Sequence, residues 1–301
     1  MLITFDFLHT SQIPHINQNT VLLLKRYLSY LHNATDEHGV HSPFVFRLYC
    51  DVIRRKKARY FQLIRVAPSD ELDFSERNQA EISATKAIET LRNKLLQDNR
   101  KITITDFGAG SRIYKGNERL IRQIAKSAEK SPAFGQLLFR LIHHVQAKTI
   151  FDLGTSLGMT TLYQAKGNPD AQVVSFEGCE ATATIAQQNF DELACSNIRL
   201  VTGNLDHTLQ KELQKITQLD FAFFDANHRY QPTVDYFEKC LDKAHEDSIF
   251  VFDDIHWSDE MHAAWQHIQT HSEVSVTIDL FYVGIVFFRK KQPKQHFVLK
   301  F

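Results

Sequence analysis

The residues best placed to do chemistry are acids at the ends of short apolar runs and the glycines just beyond them. IFDLGTSLGMTTLYQAKG (150–167) ends a run in Asp152 and passes through Gly154 and Gly158 into a helical stretch. Glycines there let the backbone approach a ligand. A helix that starts at once aims its N–H groups at the ligand's negative end, an effect on the order of 0.3–1 kcal/mol. The next run, QVVSFE, ends in Glu177, placed to accept from ribose hydroxyls. ITDFGAGS (104–111) opens in the same way, but no acid-tipped run follows it. IFDLGTSLG is therefore read as the cofactor loop, and ITDFGAGS as structural or substrate-side. GTSLG lacks the GxGxxG spacing of a dinucleotide site, which argues against an NAD-dependent oxidoreductase.

Three more carboxylates follow. LDFAFFDANHRY carries Asp225 and SIFVFDDIHW carries Asp253 and Asp254. In an open α/β sheet such strand ends meet in the crevice at the carboxyl edge. Two carboxylates ~4 Å apart repel by about 4 kcal/mol at an effective dielectric near 20, so converging acids call for a proton, a basic partner or a cation. Oxygen-only ligation would suit Mg²⁺, Mn²⁺ or Ca²⁺. His228, three residues past Asp225, can act as a base near neutral pH. His256 reads as structural, and His262, His267 and His271 lack metal-motif spacing.

The elements that must position these residues show as a change of texture near 130. Before it the chain reads as mostly helical: 20–33, 38–60 with Ser42 as cap and Pro43 in the first turn, and 75–97. SPAFGQLLFRLIHHVQ (131–146) is an amphipathic helix capped by Ser131. Five apolar runs then alternate with helical segments, which argues for a parallel sheet covered on both faces. SVTIDL (275–280) and VGIVFFR (283–289) are spaced as an antiparallel hairpin at the sheet edge. Residues 1–130 are expected to form a helical extension, a substrate lid or dimerisation element, and 131–301 the catalytic domain.

The acid-x-Gly-x-x-x-Gly loop with an acid-tipped second strand resembles motifs I and II of class I S-adenosylmethionine (SAM)-dependent methyltransferases. The resemblance covers about 131–301. Asp225-Ala226-Asn227-His228 and Asp253-Asp254-Ile255-His256-Trp257 are similar to Asp-Ala-Asp-Lys and Asp-Asn-x-x-Trp of the catechol and caffeoyl-CoA O-methyltransferase group. AFGQLLFRLI is similar to that group's Gly-Gln-x-Leu helix. The whole chain also resembles class I methyltransferases with an N-terminal HGVHSPFVF segment. The resemblance implies a Rossmann-like, doubly wound, mostly parallel seven-stranded sheet with an antiparallel edge hairpin. It implies that Asp152, Gly154, Thr155, Ser156 and Gly158 line the methionine part of SAM, that Glu177 holds the ribose, and that Gly203 and Asn204 lie near adenine. Asp225 would face the methyl donor or, with Asp253 and Asp254, ligate a divalent metal such as Mg²⁺. His228 stands where the group has lysine and would be the base.

Composition agrees with a globular protein: 43% of the 301 residues are hydrophobic and 23% charged. The formal net charge is zero, so no global field draws nucleic acid or acidic lipid. RRKKAR (54–59) could touch phosphates but reads better as a solvated helix face. Four cysteines without CxxC spacing read as reduced thiols. No secretory signal or membrane span is apparent, so a cytoplasmic protein is expected. The leading expectation is methyl transfer to an oxygen of a small molecule, with a homodimer possible. A tRNA or protein methyltransferase and a non-catalytic SAM-binding protein are the alternatives.

Overall fold

The computed structural model describes residues 18–54, 68–105 and 117–301, and side chains within 20–54, 81–105 and 117–301. The first part holds α1 (Gln18–Asn33), α2 (Pro43–Leu48), α3 (Pro68–Leu95), a hairpin of β1 (Lys101–Thr103) and β2 (Glu118–Leu120), and α4 (Ile121–Ser127). The second holds α5 (Pro132–Val145), β3 (Thr149–Leu153), α6 (Met159–Gly167), β4 (Gln172–Glu177), α7 (Glu180–Glu192), β5 (Ile198–Thr202) and α8 (Leu205–Leu213). It continues through β6 (Phe221–Phe224), α9 (Tyr230–Leu241), β7 (Ile249–Asp253), α10 (Asp259–Thr270), β8 (Val276–Asp279), β9 (Val283–Phe287) and β10 (Gln295–Val298).

Eight strands form the main sheet in the order β10-β8-β9-β7-β6-β3-β4-β5. Strands β3 to β7 are parallel to their neighbours within the group, and β9 runs antiparallel to both β7 and β8. The expected hairpin is present, but it does not end the sheet. An eighth strand, β10, pairs in parallel with β8. Its four residues are only partly covered and their polar sequence QHFV carries little strand signal, so a count of apolar runs stops at seven.

Continuous apolar runs follow from cover on both faces. Ile150, Phe221, Phe223, Ile249, Val251 and Ile285 pack on one side with Leu137, Leu138 and Leu141 of α5. Phe151, Leu153, Ala222, Phe224, Phe250 and Phe252 pack on the other with α8, α9 and α10. The Phe224 and Phe252 rings stack at 4.2 Å, and each buried ring contributes roughly 1.5–3 kcal/mol. Ser131 caps α5 by accepting from the Phe134 N–H at 3.3 Å, with Pro132 in the first turn as the sequence predicts.

The first part of the chain shares this core. Val45, Leu48, Tyr49, Val52 and Ile53 lie in the cluster that contains α5 and the sheet, and Ile88, Leu91 and Leu95 of α3 pack with Leu162 and Tyr163 of α6. The boundary at 130 therefore separates two sequence textures within a continuous core. The Ser42 cap and Pro43 are confirmed, but α2 ends at Leu48 and gives way to a wide π-type turn over Tyr49–Ile53. The rest of the expected 38–60 helix, including most of RRKKAR, lies outside the described residues.

Candidate active site

The chain reverses its direction of travel across the sheet between β3 and β6, and the crevice at that point is the natural ligand site of an open α/β sheet. The 154–158 loop leaves β3 there. Gly154 has φ +122°, and a Cβ on it would lie 2.3 Å from the Asp225 carbonyl oxygen of the neighbouring strand end. Only glycine permits that approach. The backbone N–H groups of Gly154 and Thr155 both donate to the Phe176 carbonyl, at 3.2 and 3.0 Å, and so tie the loop to β4.

The loop residues divide by exposure. Gly154 and Ser156 reach the crevice, whereas Asp152, Thr155 and Gly158 are buried behind it. Asp152 accepts from Thr161 at 2.5 Å, from Ser175 at 2.7 Å and from Gln164 at 2.9 Å. Burial lifts its carboxyl to about 6 in spite of these bonds. Thr155 bonds Ser175 at 2.5 Å, and Gly158 sits against the Phe190 ring. Of the five residues expected to line a ligand, Gly154 and Ser156 are partly exposed at the crevice, and Asp152, Thr155 and Gly158 are buried beneath it. A strand-end acid followed by a turn shows in the sequence, but which side chains point inward depends on β4 and α6.

Glu177 ends β4 and is half-buried in the crevice. One carboxylate oxygen accepts from the Ser156 N–H at 2.8 Å and the other from the Cys179 N–H at 2.9 Å. Burial raises its pKa, and the two backbone donors oppose the rise. Gly203 and Asn204 follow β5. Asn204 caps α8 by accepting from the Asp206 N–H at 2.9 Å, so its side-chain oxygen already has a structural partner.

The carboxylates of β6 and β7 converge, but on a partner not singled out in the sequence. Lys130 stands just before the Ser131 cap of α5. Its ammonium is 3.4 Å from Asp225 Oδ1 and in direct contact with Asp253 Oδ2. Burial alone would favour the neutral amine, but Asp225, Asp253 and Asp254 outweigh it and hold the pKa of Lys130 well above the usual lysine value. His228 Nε2 lies 3.4 Å from Asp225 Oδ1. Burial would lower the pKa of His228, but the hydrogen bond and charge of Asp225 raise it. Asp225 responds in the opposite sense: burial pushes it up, while Lys130 and His228 bring it below the ordinary aspartate value. Asp253, 4% exposed, is lifted well above that value by burial, aided by Asp225 and Asp254 and opposed by Lys130.

Asp225, His228 and Asp253 have one potential donor atom each within 4.8 Å of one another. Asp254 does not join this group; it follows β7 in a left-handed conformation, φ +54°. Asn227 and His228 are also left-handed, at φ +67° and +50°. Such backbone costs of order 1–3 kcal/mol per residue and is concentrated here at the two strand ends that carry the acids.

A second unforeseen residue is Glu129. It accepts from the Leu157 N–H at 3.0 Å and so anchors the glycine loop from the α5 side. Burial lifts its carboxyl to about 7. His256 and His262, expected to be structural, are bonded to each other at 3.0 Å, and His256 also meets Asp279 at 2.7 Å. ITDFGAGS follows β1, outside the main sheet, and its Thr105 N–H donates to Cys179 Sγ at 3.3 Å. The rest of that loop lies outside the described residues.

Residues 151–255 match the model of a family described as a methyltransferase domain. The chain is similar to a catechol O-methyltransferase from Niastella koreensis, 28% identical over 128 residues, 42% of this chain and 57% of that protein. It therefore spans little more than half the length of that curated relative. Among solved structures, the chain is similar to an O-methyltransferase from Bacillus cereus in complex with SAH (24% identity, 54% of this chain and 83% of that one, TM-score 0.47). It also resembles an SAH-bound methyltransferase from Podospora anserina (16% identity, 55% and 82% covered, TM-score 0.49). Among the described residues no helix is long and apolar enough to cross a membrane.

Proposed function

We propose that the protein is a SAM-dependent methyltransferase that acts on an oxygen of a small molecule. The observation that carries this reading is the crevice itself: the accessible backbone of Gly154 and Ser156 and the Glu177 carboxylate lie on one side, and Asp225 and His228 on the other. An ionised carboxylate has about four acceptor positions. Glu177 uses two of them on backbone N–H groups, which leaves two for a pair of ribose hydroxyls. The residues present thus fit the cofactor, which when bound supplies an electrophilic methyl group.

The protein's part is orientation, exclusion of water and proton removal. Gly154 keeps the loop against the Asp225 strand end, so that the acids of β6 face whatever the loop holds. Asp225 orients His228 through Nε2 and strengthens it as a base, which leaves Nδ1 as the atom that would take the acceptor's proton. A divalent metal would have to draw on Asp225, His228 and Asp253. Lys130 already stands against both of those carboxylates, so the donor set does not fit such an ion. Four cysteines free of disulfides support a reducing, cytoplasmic setting.

Calorimetric titration with S-adenosylhomocysteine tests the reading. Binding is expected in wild type, and its absence would overturn the assignment. Gly154→Val should lose that binding, because its Cβ meets backbone rather than a side chain able to swing aside.

A further inference from the structure

The cofactor crevice holds a cation of its own. The resemblance to the catechol O-methyltransferase group places a divalent metal between the acids that end β6 and β7. Here Lys130 Nζ occupies that space, 3.4 Å from Asp225 Oδ1 and in contact with Asp253 Oδ2. A hard divalent ion bound to the same oxygens needs metal–oxygen distances of about 2.0–2.6 Å. It would therefore displace the ammonium or lie within a few ångströms of it, as a doubly charged ion beside a singly charged one.

The lysine is also held from behind. It directly precedes Ser131, whose side chain caps α5, and Pro132, which opens the helix. Glu129, on its other side, is bonded to the Leu157 N–H of the glycine loop. The backbone of Lys130 is thus fixed between a helix cap and a loop anchor, with its side chain directed at the two acids. Any negatively charged acceptor oxygen that approached those acids would need a positive charge beside them.

We propose that the Lys130 ammonium replaces the divalent metal in this site, so that the protein needs no metal ion there. The proposal rests on the methyltransferase reading for its meaning in catalysis, but the exclusion of metal can be tested without an acceptor. Mn²⁺ binding is followed by electron paramagnetic resonance, with and without saturating S-adenosylhomocysteine, in wild type, Lys130→Arg, Lys130→Gln and Asp253→Asn. Wild type and Lys130→Arg should leave Mn²⁺ free. Lys130→Gln removes the charge and should bind Mn²⁺ at least about tenfold more tightly than wild type.

Mn²⁺ held by wild type and lost in Asp253→Asn would overturn the proposal. So would a folded Lys130→Gln with no gain in affinity. Should that variant fail to fold, the comparison of wild type with Asp253→Asn still decides. Calorimetry with S-adenosylhomocysteine on the same samples separates the two readings. S-adenosylhomocysteine binding together with Mn²⁺ at Asp253 in wild type overturns only the lysine proposal. No S-adenosylhomocysteine binding, with Mn²⁺ still excluded, overturns the methyltransferase reading and supports the lysine as the site's cation.

Discussion

Charge at the level of single residues decides how this crevice behaves with pH. His228 is half-buried and has its pKa raised by Asp225, so an NMR titration of its ring should give a value above the ordinary 6.5. The neutral ring is the base, so His228-dependent turnover should fall as pH drops through that raised value. A His228→Ala variant should keep S-adenosylhomocysteine binding and lose roughly 10²–10⁴ in rate. Glu129, whose pKa is also raised, carries a linkage to stability. Its folded pKa of about 7 exceeds the unfolded 4.5, so the folded state holds the proton more tightly. Its stabilising share is complete below the unfolded value and is lost as pH rises through 7, up to ~3 kcal/mol in all. Glu129→Gln should flatten the stability curve over that window and be more stable than wild type above neutrality, as read by urea denaturation. An unchanged pH slope would contradict the assignment.

Helix caps and strand ends tie these residues to the sequence. Ser131→Ala should cost about 1 kcal/mol in denaturant melts. It should also loosen Glu129 and Lys130, which depend on the start of α5 for their direction. Elements of this kind were the legible part of the chain. Caps at Ser42 and Ser131 follow from Ser-Pro pairs, and the five parallel strands and the β8–β9 hairpin follow from apolar runs and their spacing. Lys130 and Glu129 were not legible, because nothing local marks a charged pair before a helix as inward-facing. Their partners lie on β6, β7 and the glycine loop, up to 123 residues away. The same reason hid the inward turn of Asp152 and Thr155, which is set by Ser175 on β4.

Across the whole molecule, the sheet's far edge and the first helices close on each other. Tyr30 donates to the Leu299 carbonyl at 2.6 Å and Tyr49 to the Lys300 carbonyl at 2.8 Å, while the Thr35 N–H donates to the Val298 carbonyl and the Thr35 carbonyl accepts from the Lys300 N–H. Phe281 packs against Tyr27 and Tyr30 from the β8–β9 turn. β10 had no clear signal because its four residues, QHFV, are only partly covered and pair on one side, with β8. Tyr30→Phe should cost about 0.5–1.5 kcal/mol and speed amide exchange in α1, with little change in β3 to β7. Equal loss of protection across the sheet would show that the contact is not local to this edge.

That closure also sets an order of events during synthesis. Tyr30 and Leu299 are 269 positions apart, so at about 5–20 residues per second the first waits roughly 13–54 s for the second to be made. Throughout that interval α1 has no last strand to dock on, and the aromatic face around Tyr30 is available to chaperones. A lesion near residue 299 would therefore appear first as misfolding at the opposite end of the chain.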